Sequence, residues 1–200
     1  MDLERTRPIM KTDQSWRKDP EYVAIVEDLL AKPEVKALAN YTQHHHSNRL
    51  QHSIAVSYDS YRVAKKLNLD YESTARAGIL HDLFYYDWRT TKFDLGTHAF
   101  IHPRVALRNA EKLTDLNDKE QDIILKHMFG STLAVPKYWE SLIVSLVDDY
   151  EAEHEFFRPM RKKLRHQKRN LQRRYQASRR QTRHQMRGER VNGTVINNHQ

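Results

Sequence analysis

Apolar positions recur every three or four residues over most of the chain from Glu21 to Asp148, and no segment sustains the alternation of a half-buried strand. Residues 1–20 are polar, lack this period and end in Pro20, so they read as a loose arm. Glu21 to Asn40 is helical in pattern through Val23, Val26, Leu29 and Leu30, with a break or a new cap at Lys32-Pro33. Asn48 opens a clearer helix that sets His52, Val56, Val63 and Leu67 close to one face. Asp70 is a natural N-cap for the next helix, which runs through Ala75, Ile79 and Leu83. Residues 85–101 are aromatic and polar without period and are expected to form a connecting loop. Pro103 suits the first turn of a helix carrying Val105, Ala106, Leu107 and Ala110. Asn117 or Asp118 caps a helix through Ile123, Ile124 and His127 that Gly130 ends. Pro136 precedes a last core helix with Trp139, Leu142, Ile143, Leu146 and Val147 inside. The expected fold is all-α, with sheet absent or trivial.

After Pro159 the apolar residues thin to a scatter that includes Leu164, Leu171, Tyr175 and Met186, too few to anchor a core helix. Arg, Gln and Lys are good helix formers, so this stretch is expected to be extended or helical, and solvated or partner-bound. Residues 188–200, with two glycines and several asparagines, read as disordered. The chain thus divides into an arm (1–20), a folded domain (21–157) and a tail (158–200).

Charge sharpens that division. Residues 1–157 hold 20 Lys and Arg against 25 Asp and Glu, whereas residues 158–200 hold 14 against one. The formal net charge of +8 therefore describes a mildly acidic domain with a strongly basic tail. Such a tail self-repels, and RNA or another polyanion, bound nonspecifically through residues 158–190, is the expected partner. Too few apolar residues accompany the charge for a membrane-surface anchor. No run approaches the roughly 18 apolar residues of a membrane span. The first twenty residues lack the apolar centre of a secretory signal, so a cytoplasmic location is expected. Cysteine is absent, which excludes thiol chemistry and zinc ribbons. The five glycines form neither a dinucleotide fingerprint nor a phosphate-binding loop.

Two carboxylates stand out against their surroundings. Asp82 follows the mostly apolar stretch 75–80, with His81 beside it, and Asp148 follows the largely apolar run 142–147. A buried carboxylate is costly unless a cation or a hydrogen-bond network compensates it, and these runs offer little Lys or Arg. A metal ion resolves both. Asp149 is an equal candidate by periodicity. Taken singly, each histidine has the plainer role of a packed or surface residue.

In order, Arg49-Leu50-Gln51-His52, Ala77-Gly78-Ile79-Leu80-His81-Asp82 and Val147-Asp148 resemble the H…HD…D pattern of the HD superfamily of metal-dependent phosphohydrolases. The intervening His102 and His127 are similar to subgroups with two further histidines and a binuclear centre, including enzymes that split diadenosine tetraphosphate symmetrically. The stretches Phe100-Ile101-His102-Pro103 and His127-Met128-Phe129-Gly130 look closest to small HD-domain proteins of Gram-positive bacteria. The resemblance covers about residues 40–155. It implies a helical bundle with His52, His81, Asp82 and Asp148 around a first metal, and with Asp82 bridging to a second held by His102 and His127. It also favours Asp148 over Asp149. One or two ions of Fe, Mn, Co, Ni or Zn suit this donor set. Two metals about 3.5–4 Å apart can activate water and stabilise both oxygens of a phosphoryl displacement.

The expected activity is hydrolysis of a phosphoester or phosphoanhydride in a nucleotide or related small metabolite, with His81 and Asp82 central to it. The alternatives are a noncatalytic nucleotide sensor and an RNA-binding protein acting through its tail. Arg49 and Lys126, close in sequence to proposed ligands, could bind substrate phosphate. Either could instead form an ordinary ion pair. His98 could be an outer-shell group or a further substrate contact, and His44 is the functional candidate within the triple His44-His45-His46, which could instead simply be solvated. Tyr85, Tyr86 and Trp88 could stack on a base, or simply anchor the loop. His154, His166, His184 and His199 receive no role.

Overall fold

The computed structural model describes residues 14–44, 47–94, 96–153, 164–170 and 172. The chain divides into two units, one ending at Phe156 and one beginning at Phe157. In the first unit the elements are α1 (Pro20–Ala31), α2 (Pro33–Ala37), a minimal antiparallel pair β1 (Thr42–His44) and β2 (Ser47–Asn48), α3 (Arg49–Lys66), α4 (Tyr71–Leu80), α5 (His98–Leu113) and α6 (Asp118–Lys126). A further helix, α7, covers residues 139–153. The protein is all-α, as the periodicity predicts. No helix among the described residues is long and apolar enough to cross a membrane.

The caps fall where the sequence places them because each solves a local problem of unpaired amide groups. Asn48 accepts from the Gln51 amide and Asp70 from the Ser73 amide. Asn117 forms a capping box with Glu120. The proline after Lys32 opens α2 and so divides the first helical stretch in two.

Four expectations need correction. Residues 1–13 lie outside the described residues, but the end of the supposed loose arm, Ser15–Lys18, forms a 3-10 turn from which Trp16 packs on the core. Helix α5 begins at His98, within the expected loop, so Pro103 lies inside the helix rather than in its first turn. Val63 and Leu67 are exposed. The face of α3 that packs inward is lined by small residues, Ser53, Ser57, Ser60 and Ala64, with Val56 and Tyr61. Trp139 and Leu146 are exposed as well, while the opposite face of α7 is buried through Ser141, Val144 and Ser145.

The small residues of α3 reflect the closeness of α4. A Cβ built on Gly78 would come within 2.6 Å of the Ser57 Cα, so only glycine permits this approach. Ser57 Oγ donates to the Ala75 carbonyl at 2.6 Å and accepts from Tyr22 Oη at 2.8 Å, tying α1, α3 and α4 together. Around this contact the core gathers Tyr22, Val26, Leu29, Ile79, Leu80, Ile123 and Ile124. α7 is fixed from its start. Ser141 Oγ and the Lys137 amide both donate to Asp122 Oδ2, and Glu140 accepts from Lys119 Nζ and from the Asp70 amide. These anchors set the direction along which α7 carries Asp148. In the second unit, residues 164–170 are helical and exposed. The expectations for the rest of the tail lie outside the described residues.

Candidate metal centre

Five elements bring six side chains to one place. His52 comes from the second turn of α3, His81 and Asp82 directly follow α4, and His102 sits in the second turn of α5. His127 is the C-cap residue of α6, and Asp148 lies on the inner part of α7. The apolar end of α4 is buried, and the two polar residues that follow are drawn inside with it. His81 Nδ1 donates to the Gly78 carbonyl at 2.8 Å, His102 Nδ1 to that of His98 at 2.9 Å, and His127 Nδ1 to that of Ile124 at 2.8 Å. A carbonyl can only accept, so each of these three rings carries a proton on Nδ1 and turns Nε2 inward.

The inward atoms crowd together. His52 Nε2 lies 2.8 Å from Asp148 Oδ1, and His81 Nε2 lies 3.6 Å from the same oxygen. His81 Nε2 is 3.8 Å from Asp82 Oδ2. Asp82 Oδ1 faces His102 Nε2 at 3.4 Å and His127 Nε2 at 3.8 Å, and those two nitrogens are 2.7 Å apart. Two groups capable of holding a cation result, His52/His81/Asp148 and His81/Asp82/His127, with His81 shared. The donor set fits a divalent transition metal on two counts. His81 Nε2 is buried without a hydrogen-bond partner, aimed between two carboxylates. The His102 and His127 nitrogens, both bare if their Nδ1 protons stay in place, repel one another unless a proton or a cation lies between them. Imidazole with carboxylate is the ligand mixture that transition metals favour.

The electrostatics make the same demand. Burial pushes the His81 imidazole down, but Asp82 and Asp148 outweigh it and raise its pKa to about 9. Burial alone would raise Asp82, yet His81, His102 and His127 hold it down at about 2. Asp148 likewise stays well below the usual carboxylate range because His52 and His81 outweigh its burial. Burial and the neighbouring His127 press His102 down to about 3. The pocket therefore combines two ionised carboxylates, which draw His52 and His81 toward the charged form, with His102 and His127 held toward the neutral form, and so calls for positive charge at its centre.

The remaining predicted residues separate from this cluster. Arg49, expected at substrate phosphate, is fully buried. Its Nε donates to Gln43 Oε1 at 2.8 Å, its terminal nitrogens donate to the Phe84 and Tyr86 carbonyls, and its guanidinium lies 3.5 Å from the Phe84 ring centroid. It braces the segment after Asp82 and has no face left for a ligand. Lys126 Nζ donates to the Val135 carbonyl and stands 4.0 Å from Asp122, the ordinary ion-pair alternative. His98 stacks on His102 at 4.3 Å and on Trp88 at 5.5 Å, beside the metal-binding groups rather than among them. Tyr86 and Phe93 pack on the same ring, so the aromatic cluster anchors its own loop. Asp149 is exposed, leaving Asp148 as the inward carboxylate. His44 ends β1, and its side chain lies outside the description, as do His45 and His46.

Gln43 joins the site without any local pattern that announces it. Its Nε2 donates to Asp82 Oδ2 at 2.5 Å, and because Arg49 Nε can only donate, the Gln43 oxygen must face Arg49 and the amide nitrogen must face Asp82. Gln43 thus fixes the rotation of the carboxylate that three histidines surround. Replacing Gln43 by leucine is expected to weaken metal affinity about 10- to 100-fold, the cost of losing a group that orients a ligand, with helix content unchanged. Metal titration followed by circular dichroism checks both parts.

Residues 49–153 match the family model of the HD domain, a span that contains all six converging side chains. No curated protein and no solved structure matches the chain.

Proposed function

Because the chain belongs to the HD-domain family, we propose that it is a metal-dependent phosphohydrolase acting on a nucleotide or a related small phosphorylated metabolite. The observation that carries this reading is the orphaned His81 Nε2 between Asp82 and Asp148, inside a ring of imidazoles already fixed in the ligand tautomer. His52, His81 and Asp148 would hold one ion, and Asp82 with His102 and His127 a second. When bound, such a cation supplies Lewis-acid polarisation of a phosphoryl oxygen and acidifies water. The protein's own part is to keep both carboxylates ionised, to hold the His81, His102 and His127 rings with a proton on Nδ1, and to orient Asp82 through Gln43. Arg49 and Lys126 are engaged elsewhere, so neither neutralises substrate phosphate here, and the chemistry rests on the central cluster. Retention of every ligand position favours hydrolysis over a purely sensing role. Metal analysis of the purified protein, then assay against phosphomonoesters, phosphodiesters and dinucleoside polyphosphates, tests the proposal. Metal without turnover on any class would favour the sensor.

The geometry separates one ion from two. Changing His102 or His127 to alanine is expected to lower bound metal toward one ion per chain, leaving the His52/His81/Asp148 group intact. Plasma emission spectrometry on the dialysed variants measures this. Wild-type metal content in both variants would instead assign these histidines to substrate.

A separate observation, the confinement of 14 basic residues against one acid to residues 158–200, supports a second role in which residues 158–190 bind RNA or another polyanion without sequence preference.

A further inference from the structure

The segment that follows the His81-Asp82 pair reaches the metal centre by two routes. Arg89 turns back to β1, where its terminal nitrogens donate to successive carbonyls, Nη2 to that of Gln43 at 2.8 Å and Nη1 to that of Thr42 at 3.4 Å. Asp87 Oδ1 stands 3.9 Å from Nη1, beyond hydrogen-bond reach. The guanidinium therefore serves the backbone of the residue whose side chain donates to Asp82 Oδ2. Gln43 is thus held by two arginines, at its side-chain oxygen by Arg49 and at its carbonyl by Arg89.

Trp88 opens the other route. Its ring stacks on His98 at 5.5 Å and 15°, and His98 stacks in turn on His102 at 4.3 Å and 22°. Phe93 lies over the His98 ring at a longer 6.0 Å and a wider 28°, and Tyr86 meets it edge-on. His98 holds His102 through its backbone as well, because its carbonyl accepts the His102 Nδ1 proton. That carbonyl belongs to the first residue of α5, and the N-cap residue Thr97 makes no side-chain cap bond. The start of a helix has amide groups without partners, so an uncapped start depends on tertiary contacts to stay in place. The stack on His98 is such a contact. The two routes are joined at their origin, since the Arg89 guanidinium lies 4.6 Å from the Trp88 ring centroid.

We propose that Trp88 and Arg89 are positioning residues for one half of the centre, the group Asp82/His102/His127, and that they set the affinity of its ion without touching it. The inference rests on the two-ion reading given above. One route ends at Asp82 and the other at His102, both in that group, whereas His52 and Asp148 pair with each other at 2.8 Å in the other half. Charge separates this role from a plain electrostatic one. Removing a cation near a metal site favours the metal, so by charge alone the loss of Arg89 would tighten binding. Loss of a positioning contact weakens it. Groups that orient a ligand from outside command about 10- to 100-fold in metal affinity, and these two act through one further residue, so the low end is expected.

The test is equilibrium dialysis of the full chain against buffered cobalt(II), with bound metal counted by plasma emission spectrometry. Wild-type protein is expected to take up two ions per chain, and the uptake step missing in His102→Ala identifies the ion held by the Asp82 group. In Trp88→Ala and in Arg89→Ala that step should move about tenfold to higher cobalt while the other stays in place. Trp88→Phe keeps a flat ring against His98 and should recover most of the affinity. Arg89→Lys keeps the charge but not the planar fork that spans two carbonyls, and should resemble Arg89→Ala. Circular dichroism should be alike in all of these proteins. A shift of both steps together, an unmoved step, tighter binding in Arg89→Ala, or a Trp88→Phe as impaired as Trp88→Ala overturns the proposal and leaves the two-ion reading standing. Fewer than two ions in the wild-type chain, or no step missing in His102→Ala, overturns that reading and the proposal with it.

Discussion

Asp82→Ala is expected to lose bound metal and hydrolytic activity together, and His81→Ala to do the same. Asp82 is the residue whose two oxygens reach separate parts of the cluster. Oδ2 accepts from Gln43 and faces His81, while Oδ1 faces His102 and His127. Among the described residues no neighbouring side chain substitutes for it, since Asp148 is already paired with His52 and Asp149 is exposed. The loss should exceed the roughly 100-fold that removal of an orienting group costs. Stability gives a second readout. A metal at a hundredfold excess over its Kd stabilises the folded state by about 2.7 kcal/mol, which for a domain of this size corresponds to a rise in Tm of roughly 5–10 °C. That increment should vanish in the variant. The increment, not the absolute Tm, is the quantity to compare. In metal-free protein Asp82, depressed to about 2, contributes stability above the ordinary carboxylate pKa that is lost only as pH falls through its folded value. Its removal therefore lowers Tm even without metal. A metal-replete, active Asp82→Ala protein would sink the metallohydrolase reading.

What could be read from the sequence, and what could not, follows the range of the forces involved. Helix starts at Asn48, Asp70 and Asn117 were legible because a cap is chemistry between residues two or three apart. The start of α5 was not legible. Thr97 makes no side-chain cap bond, and Pro103 imitates a first-turn proline while lying inside the helix. Burial was misread where the apolar count gave the wrong face. On α3 the deciding factor is the close approach at Gly78, which selects serine and alanine over valine and leucine. On α7 the apolar stripe faces outward, and intrachain reasoning assigns every such stripe to the core. The two carboxylates, by contrast, were legible because a carboxylate in an apolar run is anomalous, and the histidine ligands were placed by the resemblance to the HD superfamily. Arg49 and Gln43 escaped for one shared reason. Arg49 is a charge whose partners are backbone carbonyls of residues 84 and 86, and Gln43 is an amide whose partner lies 39 positions away. Neither pairing leaves a local pattern.

Deleting residues 158–200 is expected to abolish RNA binding while sparing the metal centre. The deletion changes formal net charge from +8 to −5, so the sign of the long-range field reverses rather than merely weakens. Binding through phosphate neutralisation releases counterions. For six to ten contacts it falls about 10³- to 10⁵-fold between 50 and 200 mM salt. The full chain should show that slope, and the truncated chain should lose at least about 10³-fold in affinity at low salt. Metal content should not change, because all six converging side chains lie between His52 and Asp148 and the core is built from residues before 154. Turnover of a small soluble phosphate should survive for the same reason. Metal content, small-substrate turnover and RNA binding measured side by side on both proteins separate the possible failures. RNA binding that persists after truncation refutes the role given to the tail and leaves the hydrolase proposal untouched. Metal lost on truncation shows instead that the folded domain extends past residue 157, and turnover lost with metal retained places part of residues 158–175 at the substrate.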